Sequence, residues 1–492
     1  MIHRGLPRAA CGQRLVLFAA AVALALYSGT AARADFSRLG KLADDGFAIS
    51  AEARLLDGSR ETLGSIAPRQ ALSPASVTKT YTAAATLERF GPQHRFTTRL
   101  KSLAEAAPAD GVLNADLWFE GGGDPGFTSE KLWRLVQRLH QAGVRRINGD
   151  VVVSQWRFGP VECATTDRCE ARTRVDNAYS APLSSAGVNF GSWCVNIAPG
   201  LAPGEPARVT HCDGPPSLVS VDNQVVTRPD DSDTRISAER VTTDHGDLMR
   251  VDGQISANAW PRDEYRGASN GAEQTADTLT AMLERFAIDV SGASRVTTAK
   301  PPDAAQTLAA VEGKPLQELI LRTLNYSNNY MADVLALNLV ETPGAELADA
   351  GRALESYAAG LPGHGEVTLE SGSGLTTDNR TTAHGVNVML ESMYHQSSLF
   401  PSFVAALQSP ENGVMRFIRR GPESFQHNVM LKTGTLNEPY AVRAMAGYFR
   451  TAGGRWGVFS VLINGDRSTP YLSWSKVLEP LSADLADMID TH

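Results

Sequence analysis

Near its start the chain has an apolar run that is too short for a stable membrane span. The run covers residues 15–27, and three arginines precede it. Ala32-Arg33-Ala34 follows, with small residues at alternate positions. A basic stretch, a short apolar run and such a small-residue site are typical of a cleaved secretory signal. We therefore predict a signal peptide over 1–34 and a mature chain from Asp35, with an uncleaved membrane anchor as the alternative.

After this leader, strand-like and helical patterns lie at the two ends of the chain. Alternation and turn residues predict a strand near the start and a strand–turn–strand unit near the end. Alanine-rich and amphipathic stretches predict helices, of which the first is stopped by Gly91-Pro92. The predicted strands are Phe47–Leu56, Met430–Phe449 and Trp456–Ile463, and the predicted helices are Ser76–Phe90, Ala272–Phe286, Pro315–Leu339 and Leu472–Ile489.

The middle of the chain has a different pattern of predicted secondary structure. From Arg95 to Gly271, helical periodicity is scarce apart from Ser129–Ala142. Short extended runs such as Asp150–Val153 alternate there with glycine, proline, aspartate and asparagine. This pattern favours one or two inserted, mainly β domains.

Composition narrows the class of protein. The chain has 492 residues, a net charge of −8 and 42% hydrophobic residues, which is ordinary for a globular protein of more than one domain. It has no basic stripe, so a nucleic-acid partner is not expected.

Four cysteines remain after the predicted signal, and all fall in the middle region. An even number in an exported protein favours disulfides. We expect Cys163–Cys169 and Cys194–Cys212 as the pairs. A zinc site is the alternative, but the spacings do not resemble paired C-x-x-C ligands.

The first candidate for chemistry is Ser76-Val77-Thr78-Lys79, at the start of the first predicted helix. A serine needs a base to become a nucleophile, and residues three apart on a helix can touch. Lysine can be that base only if its pKa falls, which burial accomplishes. The same S-x-x-K pattern recurs at Ser473–Lys476, where a capping serine and a solvated lysine explain it.

The second and third candidates follow in the C-terminal half. Ser327-Asn328-Asn329 lies where one predicted helix gives way to another, and a helix cap is its structural explanation. Lys432-Thr433-Gly434-Thr435 lies on a predicted strand, where lysine and hydroxyls can bind a carboxylate and glycine permits close approach. Ser256-Ala257-Asn258 also fits S-x-N, but it lies in the inserted region.

In the order S-x-x-K, S-x-N and K-T-G, the three segments match the set typical of penicillin-binding proteins and β-lactamases. Two further segments resemble one branch of that set: Gly123-Asp124-Pro125, and Gly372-Ser373-Gly374-Leu375-Thr376. With the long insertion after Lys79, the chain resembles the class C low-molecular-mass penicillin-binding proteins, which are D-alanyl-D-alanine carboxypeptidase/endopeptidases of the peptidase S13 type. Ser371, where this family has Asp or Asn, is a departure.

The resemblance implies an α/β fold of the α+β type. It would have a catalytic domain with an antiparallel sheet between helices, made from 35–94 and 274–492, with inserted domains over 95–273. A different serine-hydrolase fold is disfavoured, since the one G-x-S-x-G match, Gly267–Gly271, follows a polar run instead of a buried strand.

The resemblance also implies the roles of the residues. Ser76 would attack the bond between two terminal D-alanines of a peptidoglycan stem peptide, and Lys79 would take its proton. Ser327 would pass a proton to the leaving group, and Asn329 would hold Lys79 and the substrate. Lys432, Thr433 and Thr435 would bind the terminal carboxylate, with Gly434 between them. β-Lactams would be covalent inhibitors, and neither a metal nor an organic cofactor is expected.

Two other functions are compatible with this set. A β-lactamase would share the acylation step, but the E-x-x-L-N segment of class A enzymes is missing from the sequence. A non-catalytic wall-binding protein would have no reason to keep both lysines. The predicted signal indicates a periplasmic protein with at most loose membrane association, while the sequence does not separate carboxypeptidase from endopeptidase action.

Overall fold

The computed structural model describes residues 35–103, 110–161, 178–212, 219–244 and 246–492. The predicted signal peptide, together with Cys163 and Cys169, lies outside these residues. Within these ranges, no helix combines the length and the apolar character that crossing a bilayer requires.

The elements are numbered in chain order. The strands are β1 (Ala48–Leu55), β2 (Thr62–Ile66), β3 (Thr97–Ser102), β4 (Val112–Leu113), β5 (Leu117–Glu120), β6 (Arg146–Ile147), β7 (Val151–Ser154), β8 (Ser192–Ala198), β9 (Arg208–His211), β10 (Ser220–Arg228), β11 (Arg235–Thr243), β12 (Gly246–Ser256), β13 (Arg262–Gly267), β14 (Asp289–Val290), β15 (Ser294–Thr297), β16 (Gln306–Glu312), β17 (Val429–Leu436), β18 (Val442–Arg450) and β19 (Trp456–Asn464). The α-helices are α1 (Thr78–Phe90), α2 (Ser129–Gln141), α3 (Gly271–Arg285), α4 (Leu316–Asn325), α5 (Asn329–Leu337), α6 (Leu347–Ala359), α7 (Ala383–His395), α8 (Phe400–Ala405), α9 (Glu423–Asn428) and α10 (Trp474–Thr491).

The two ends of the chain build one antiparallel sheet in the order β17-β18-β19-β1-β2. One apolar core packs α1, α4, α5, α6 and α7 on one face of the sheet. A second core packs α9, α10 and a 3-10 helix, Leu39–Asp45, on the other face. Alternate residues of a strand point to opposite faces, so the continuous burial of β18 and β19 follows from this three-layer arrangement. The predicted fold class is confirmed.

The chain leaves this domain and returns to it at one place. The backbone N–H of Gly313 donates to the carbonyl of Phe96, and that of Leu316 donates to the carbonyl of His94. The outgoing and returning segments are therefore bonded side by side. This is the geometry expected of a domain inserted into a surface loop.

Two units lie within the insertion. The first is a five-stranded sheet in the order β15-β7-β5-β3-β16, with α2 and α3 packed together in its core. The second is all-β, made of two three-stranded sheets, β13-β8-β9 and β10-β12-β11, around its own core. The β-rich texture of the sequence is thus explained mostly by the second unit.

The inserted region extends beyond its predicted end at residue 273. Helix α3 packs in the core of the first inserted unit, β15 pairs with β7, and β16 pairs with β3. These three elements, which the sequence assigned to the catalytic part, therefore complete the inserted sheet. Helical periodicity alone does not tell which sheet a helix covers, and this is why the boundary was placed too early.

The all-β unit contains a disulfide. Cys194 on β8 is bonded to Cys212, with an S–S distance of 2.02 Å. This is the second of the two predicted pairs. Since the two sulfurs are bonded to each other, they are not available as the thiolate ligands that the zinc alternative required.

Candidate active site

Ser76 lies in a single 3-10 turn, Ala75–Val77, that leads directly into α1. Lys79 follows in the first turn of the helix, and its Nζ lies 2.8 Å from Ser76 Oγ. The predicted contact between the two side chains is present. Ser76 is half-buried and Lys79 is fully buried, so the base is shielded from water while the serine remains accessible.

The backbone around Ser76 is strained and tightly enclosed. Ala75 has a φ of 44°, in the left-handed region that residues with a Cβ avoid. A Cβ added to Gly374 would lie 1.9 Å from the Ala75 carbonyl oxygen, and one added to Gly434 would lie 3.0 Å from Ser76 N. Glycines of two other predicted segments therefore press on the turn and hold it in place.

The Lys79 amine contacts oxygens from three of the predicted segments. Besides Ser76 Oγ, its Nζ contacts Asn329 Oδ1 and the Ser373 carbonyl oxygen, each at 2.7 Å. These contacts join the S-x-x-K, S-x-N and G-S-G-L segments in one site. All three partners offer oxygen, so the lysine is held in a single geometry beside the serine.

The S-x-N segment marks a break between two helices. Helix α4 ends at Asn325 and α5 begins at Asn329, which agrees with the predicted change from one helix to another within the helical stretch. The cap of α5 is Asn328, whose Oδ1 accepts from Met331 N at 2.9 Å. Ser327, with a φ of 52°, and Asn329 flank this cap and are left to contact Lys432 and Lys79 respectively.

Lys432 extends from β17 to the serine of the second segment. Its Nζ lies 2.9 Å from Ser327 Oγ and 2.6 Å from the Thr433 carbonyl oxygen. The site thus contains two serine–lysine pairs, Ser76–Lys79 and Ser327–Lys432. Burial lowers the pKa of Lys432 to about 7. At neutral pH its charge is therefore only partly present in the free protein.

The hydroxyls of the K-T-G segment have separate surroundings. Thr433 is buried, and its Oγ1 lies 3.5 Å from the Met415 sulfur. Thr435, at the open end of β17, is exposed, and its Oγ1 accepts a hydrogen bond from Trp474 Nε1 at 3.1 Å. The Thr435 hydroxyl can still donate its own proton to a ligand, whereas the Thr433 hydroxyl donates to the Met415 sulfur, a weak acceptor that a carboxylate can replace.

The loop that begins at Ser371 is held by a residue further along the chain. Asn379 donates from Nδ2 to Thr78 Oγ1 and to the Ser371 carbonyl, each at 3.1 Å, and its Oδ1 accepts from Glu370 N at 2.7 Å. Ser371 Oγ accepts from Gly374 N at 3.1 Å and so closes the turn. The loop that presents the Ser373 carbonyl to Lys79 is therefore fixed without Asp or Asn at 371.

The competing motif matches have structural roles elsewhere. Ser473 caps α10 by accepting from Lys476 N, and Ser256 bonds to Asn258 within the all-β unit. Gly267–Gly271 is a connection between β13 and α3, in which Asn270 caps the helix. None of them contributes a hydroxyl to the Lys79 site.

Sequence reasoning missed several residues that hold this site. Asp333 Oδ1 accepts from Ser373 N at 2.8 Å, and the carbonyl of Tyr179 accepts from Asn329 Nδ2 at 3.0 Å. A fully buried carboxylate in the apolar run of α5 is unusual, and that signal could have singled out Asp333. No sequence signal points to Asn379 or Trp474, because their partners are brought together only by the fold.

This geometry defines a class of protein. The site has a half-buried serine beside a buried lysine, a second serine–lysine pair, and a strand whose glycine packs against the nucleophile. This arrangement is suited to acyl transfer through a serine ester.

The sequence profile of the D-Ala-D-Ala carboxypeptidase 3 (S13) family matches residues 59–476, and the chain belongs to this family. The resemblance drawn from the motifs is thereby confirmed, as is the assignment to serine-type peptidases.

Two relatives each match 80% of this chain. The D-alanyl-D-alanine carboxypeptidase of Actinomadura sp. (strain R39) is 29% identical over 419 residues, covering 80% of this chain and 73% of the relative. The D-alanyl-D-alanine carboxypeptidase DacB of Haemophilus influenzae is 24% identical over 404 residues, covering 80% of each. The crystal structure of penicillin binding protein 4 (dacB) from Haemophilus influenzae has a TM-score of 0.73 at 22% identity, covering 92% of this chain and 98% of the other. This chain is therefore similar in fold to that protein over most of its length.

Proposed function

We propose that the protein is a penicillin-binding D-alanyl-D-alanine carboxypeptidase that acts on peptidoglycan stem peptides through a Ser76 ester. The observation that carries the proposal is the Lys79 site, where Nζ lies 2.8 Å from Ser76 Oγ and 2.7 Å from Asn329 Oδ1. Family membership supports the substrate class, because the family's description is a D-Ala-D-Ala carboxypeptidase.

In the acylation step, Ser76 Oγ attacks the carbonyl carbon between the two D-alanines while its proton passes to Lys79 Nζ. Lys79 has to be neutral to accept it, and its enclosure by Asn329 and Ser373 aims its lone pair at the serine. The oxyanion would be received by the backbone N–H groups of Ser76 and Thr435. The close packing of Gly434 on the Ser76 turn supports this, and losing one such donor costs about 10²–10³ in rate.

The C–N bond then breaks, and the leaving D-alanine nitrogen takes a proton. Ser327 is suited to relay to it the proton that Lys79 took from Ser76, and Lys432, whose Nζ lies 2.9 Å from Ser327 Oγ, supports this transfer by its charge. Water then hydrolyses the ester and frees Ser76. Asn329 keeps Lys79 in place, and since an amide carries two N–H hydrogens, one can bind the Tyr179 carbonyl and the other a substrate carbonyl.

The terminal carboxylate of the substrate would lie between Lys432, Thr433 and Thr435. A carboxylate only accepts hydrogen bonds, and these three side chains offer an ammonium and two hydroxyl protons.

β-Lactams carry a carboxylate and a reactive carbonyl, so we infer that they acylate Ser76 as well. The predicted signal peptide supports a periplasmic location, where peptidoglycan is the neighbouring polymer.

The proposal is tested by product analysis. The mature protein, incubated with a pentapeptide ending in D-Ala-D-Ala, is expected to release one D-alanine per peptide and to be labelled stably by a fluorescent penicillin. A transient label with rapid drug hydrolysis would instead identify a β-lactamase. No label and no D-alanine would indicate a protein that only binds the wall.

The Michaelis constant for such a peptide is expected to rise above pH about 7. Burial lowers the pKa of Lys432 to about 7, so the charge that attracts the carboxylate is present below that pH and is lost as pH rises through it. The rise should approach about tenfold per pH unit if the charge is essential. Lys432→Arg is the control, because its guanidinium stays charged and its KM should not change with pH. A wild-type KM that is constant across this range would contradict the assignment.

A further inference from the structure

The start of α10 lies beside the open end of β17, although the two are far apart in the sequence. Trp474 is the first residue of α10, and its Nε1 donates to Thr435 Oγ1 at 3.1 Å. Among the described residues, Trp474 is the one whose side chain donates a hydrogen bond to the Thr435 hydroxyl. The motif match at Ser473–Lys476 therefore lies close to the site, although not as a nucleophile.

This hydrogen bond determines whether the Thr435 hydroxyl donates or accepts toward a ligand. An indole N–H can only donate, so the Thr435 oxygen must be the acceptor. One acceptor position of the hydroxyl is then occupied, and its single proton has to point elsewhere. Because Thr435 is exposed at the end of the strand, that proton is available to an acceptor in the cleft. A hydroxyl held in this way favours a carboxylate, which only accepts, over a group that would need to donate to it.

The indole is held in place on two sides. The ring of Phe417 lies 5.2 Å from that of Trp474, centroid to centroid, and the Arg443 guanidinium carbon lies 5.8 Å from the Trp474 ring. Arg443 is directly opposite Thr435 in the β17–β18 register. Its guanidinium donates to the Leu436 carbonyl and to Asn437 Oδ1, each at 2.9 Å. The tryptophan is thus fixed to the same pair of strands that carries Thr435.

We propose that Trp474 is a positioning residue that sets the Thr435 hydroxyl as a donor to the substrate's terminal carboxylate. The inference rests on the proposed role of Thr435 in carboxylate binding. The proposal gives α10 a part in substrate selection. Packing alone does not explain the hydrogen bond, because the partly buried ring of Trp474 would fill the same space if it had no N–H.

The test uses Trp474→Phe, which keeps an aromatic ring but removes the N–H. The readout is the second-order rate of acylation by a penicillin with a free carboxylate, compared with its methyl ester, whose ester group has lost the charge. The variant should acylate about 3- to 10-fold more slowly with the free acid, since a hydrogen bond to a charged group is weakened, and should be unchanged with the ester. An equal loss with both compounds, or no loss with the acid, would overturn the inference.

A double-mutant cycle separates positioning from packing. Thr435→Val should reduce the free-acid rate by itself, and adding Trp474→Phe should then cause no further loss. Additive losses would mean that the tryptophan acts independently of Thr435. Trp260→Phe, which alters an 87% exposed tryptophan of the all-β unit, is the matched control and should leave both rates unchanged.

The same experiment distinguishes failure of the inference from failure of the proposed function. If wild-type protein is not acylated by either penicillin, the proposed function fails. If wild-type protein is acylated and prefers the free acid, but Trp474→Phe keeps that preference in full, only the role of Trp474 is overturned.

Discussion

Replacing Ser76 by alanine is expected to abolish covalent labelling by a fluorescent penicillin and release of D-alanine. The change removes the attacking oxygen and little else. The turn is held by Gly374 and Gly434 against the backbone, and Lys79 keeps its contacts with Asn329 and Ser373. We therefore expect a folded protein with an unchanged thermal transition and a rate reduced to the background, a loss of at least about 10³-fold. Gel fluorescence and thermal unfolding measure the two properties together.

Ser473→Ala is the control for this variant, because Ser473 begins the second S-x-x-K match. Its hydroxyl caps α10, so its loss should lower the free energy of unfolding by about 0.5–2 kcal/mol while labelling persists. Labelling that survives in Ser76→Ala, or disappears in Ser473→Ala, would mean that the wrong serine has been assigned.

Local patterns in the sequence were sufficient for the elements that bear the chemistry. Helix α1 was predicted from its alanines and its Gly91-Pro92 stop, and the strand–turn–strand unit of β17–β19 from alternation. The family resemblance then implied that the two ends of the chain share one sheet, and in the structure β1 pairs with β19. These features could be predicted because they depend on residues close together in the sequence, or on a set of motifs that together define a family.

What could not be predicted depends on tertiary packing. The sequence indicated a change of helix near Ser327, but not the positive φ of Ser327, which depends on the Asn328 cap and on contact with Lys432. Asn379 donates to the Ser371 carbonyl from eight residues further along the chain, a contact that no local pattern predicts. Helix α3 covers the inserted sheet instead of the catalytic one, a choice decided by which apolar face is left open.

The two lysines provide a matched pair of substitutions with unequal expected effects. Lys79 and Lys432 are both 0% exposed, so arginine is equally oversized at each position and any overpacking is shared. Lys79→Arg should nevertheless reduce acylation by about 10²–10⁴-fold, because arginine cannot be deprotonated in a protein and so cannot take the Ser76 proton.

Lys432→Arg should lose much less, on the order of tenfold, because the role of Lys432 at the carboxylate requires a positive charge and the guanidinium supplies one. The two roles also predict different pH profiles, measured as the acylation rate at saturating penicillin. In wild-type protein that rate should rise with pH as Lys79 is deprotonated, and Lys432→Arg should keep the rise. Equal damage from the two substitutions, or a saturating rate that does not change from acid to mildly alkaline pH, would remove Lys79 from its role as the base. In that case the second pair, in which Lys432 has a pKa near 7 and contacts Ser327, would be the remaining candidate for proton transfer.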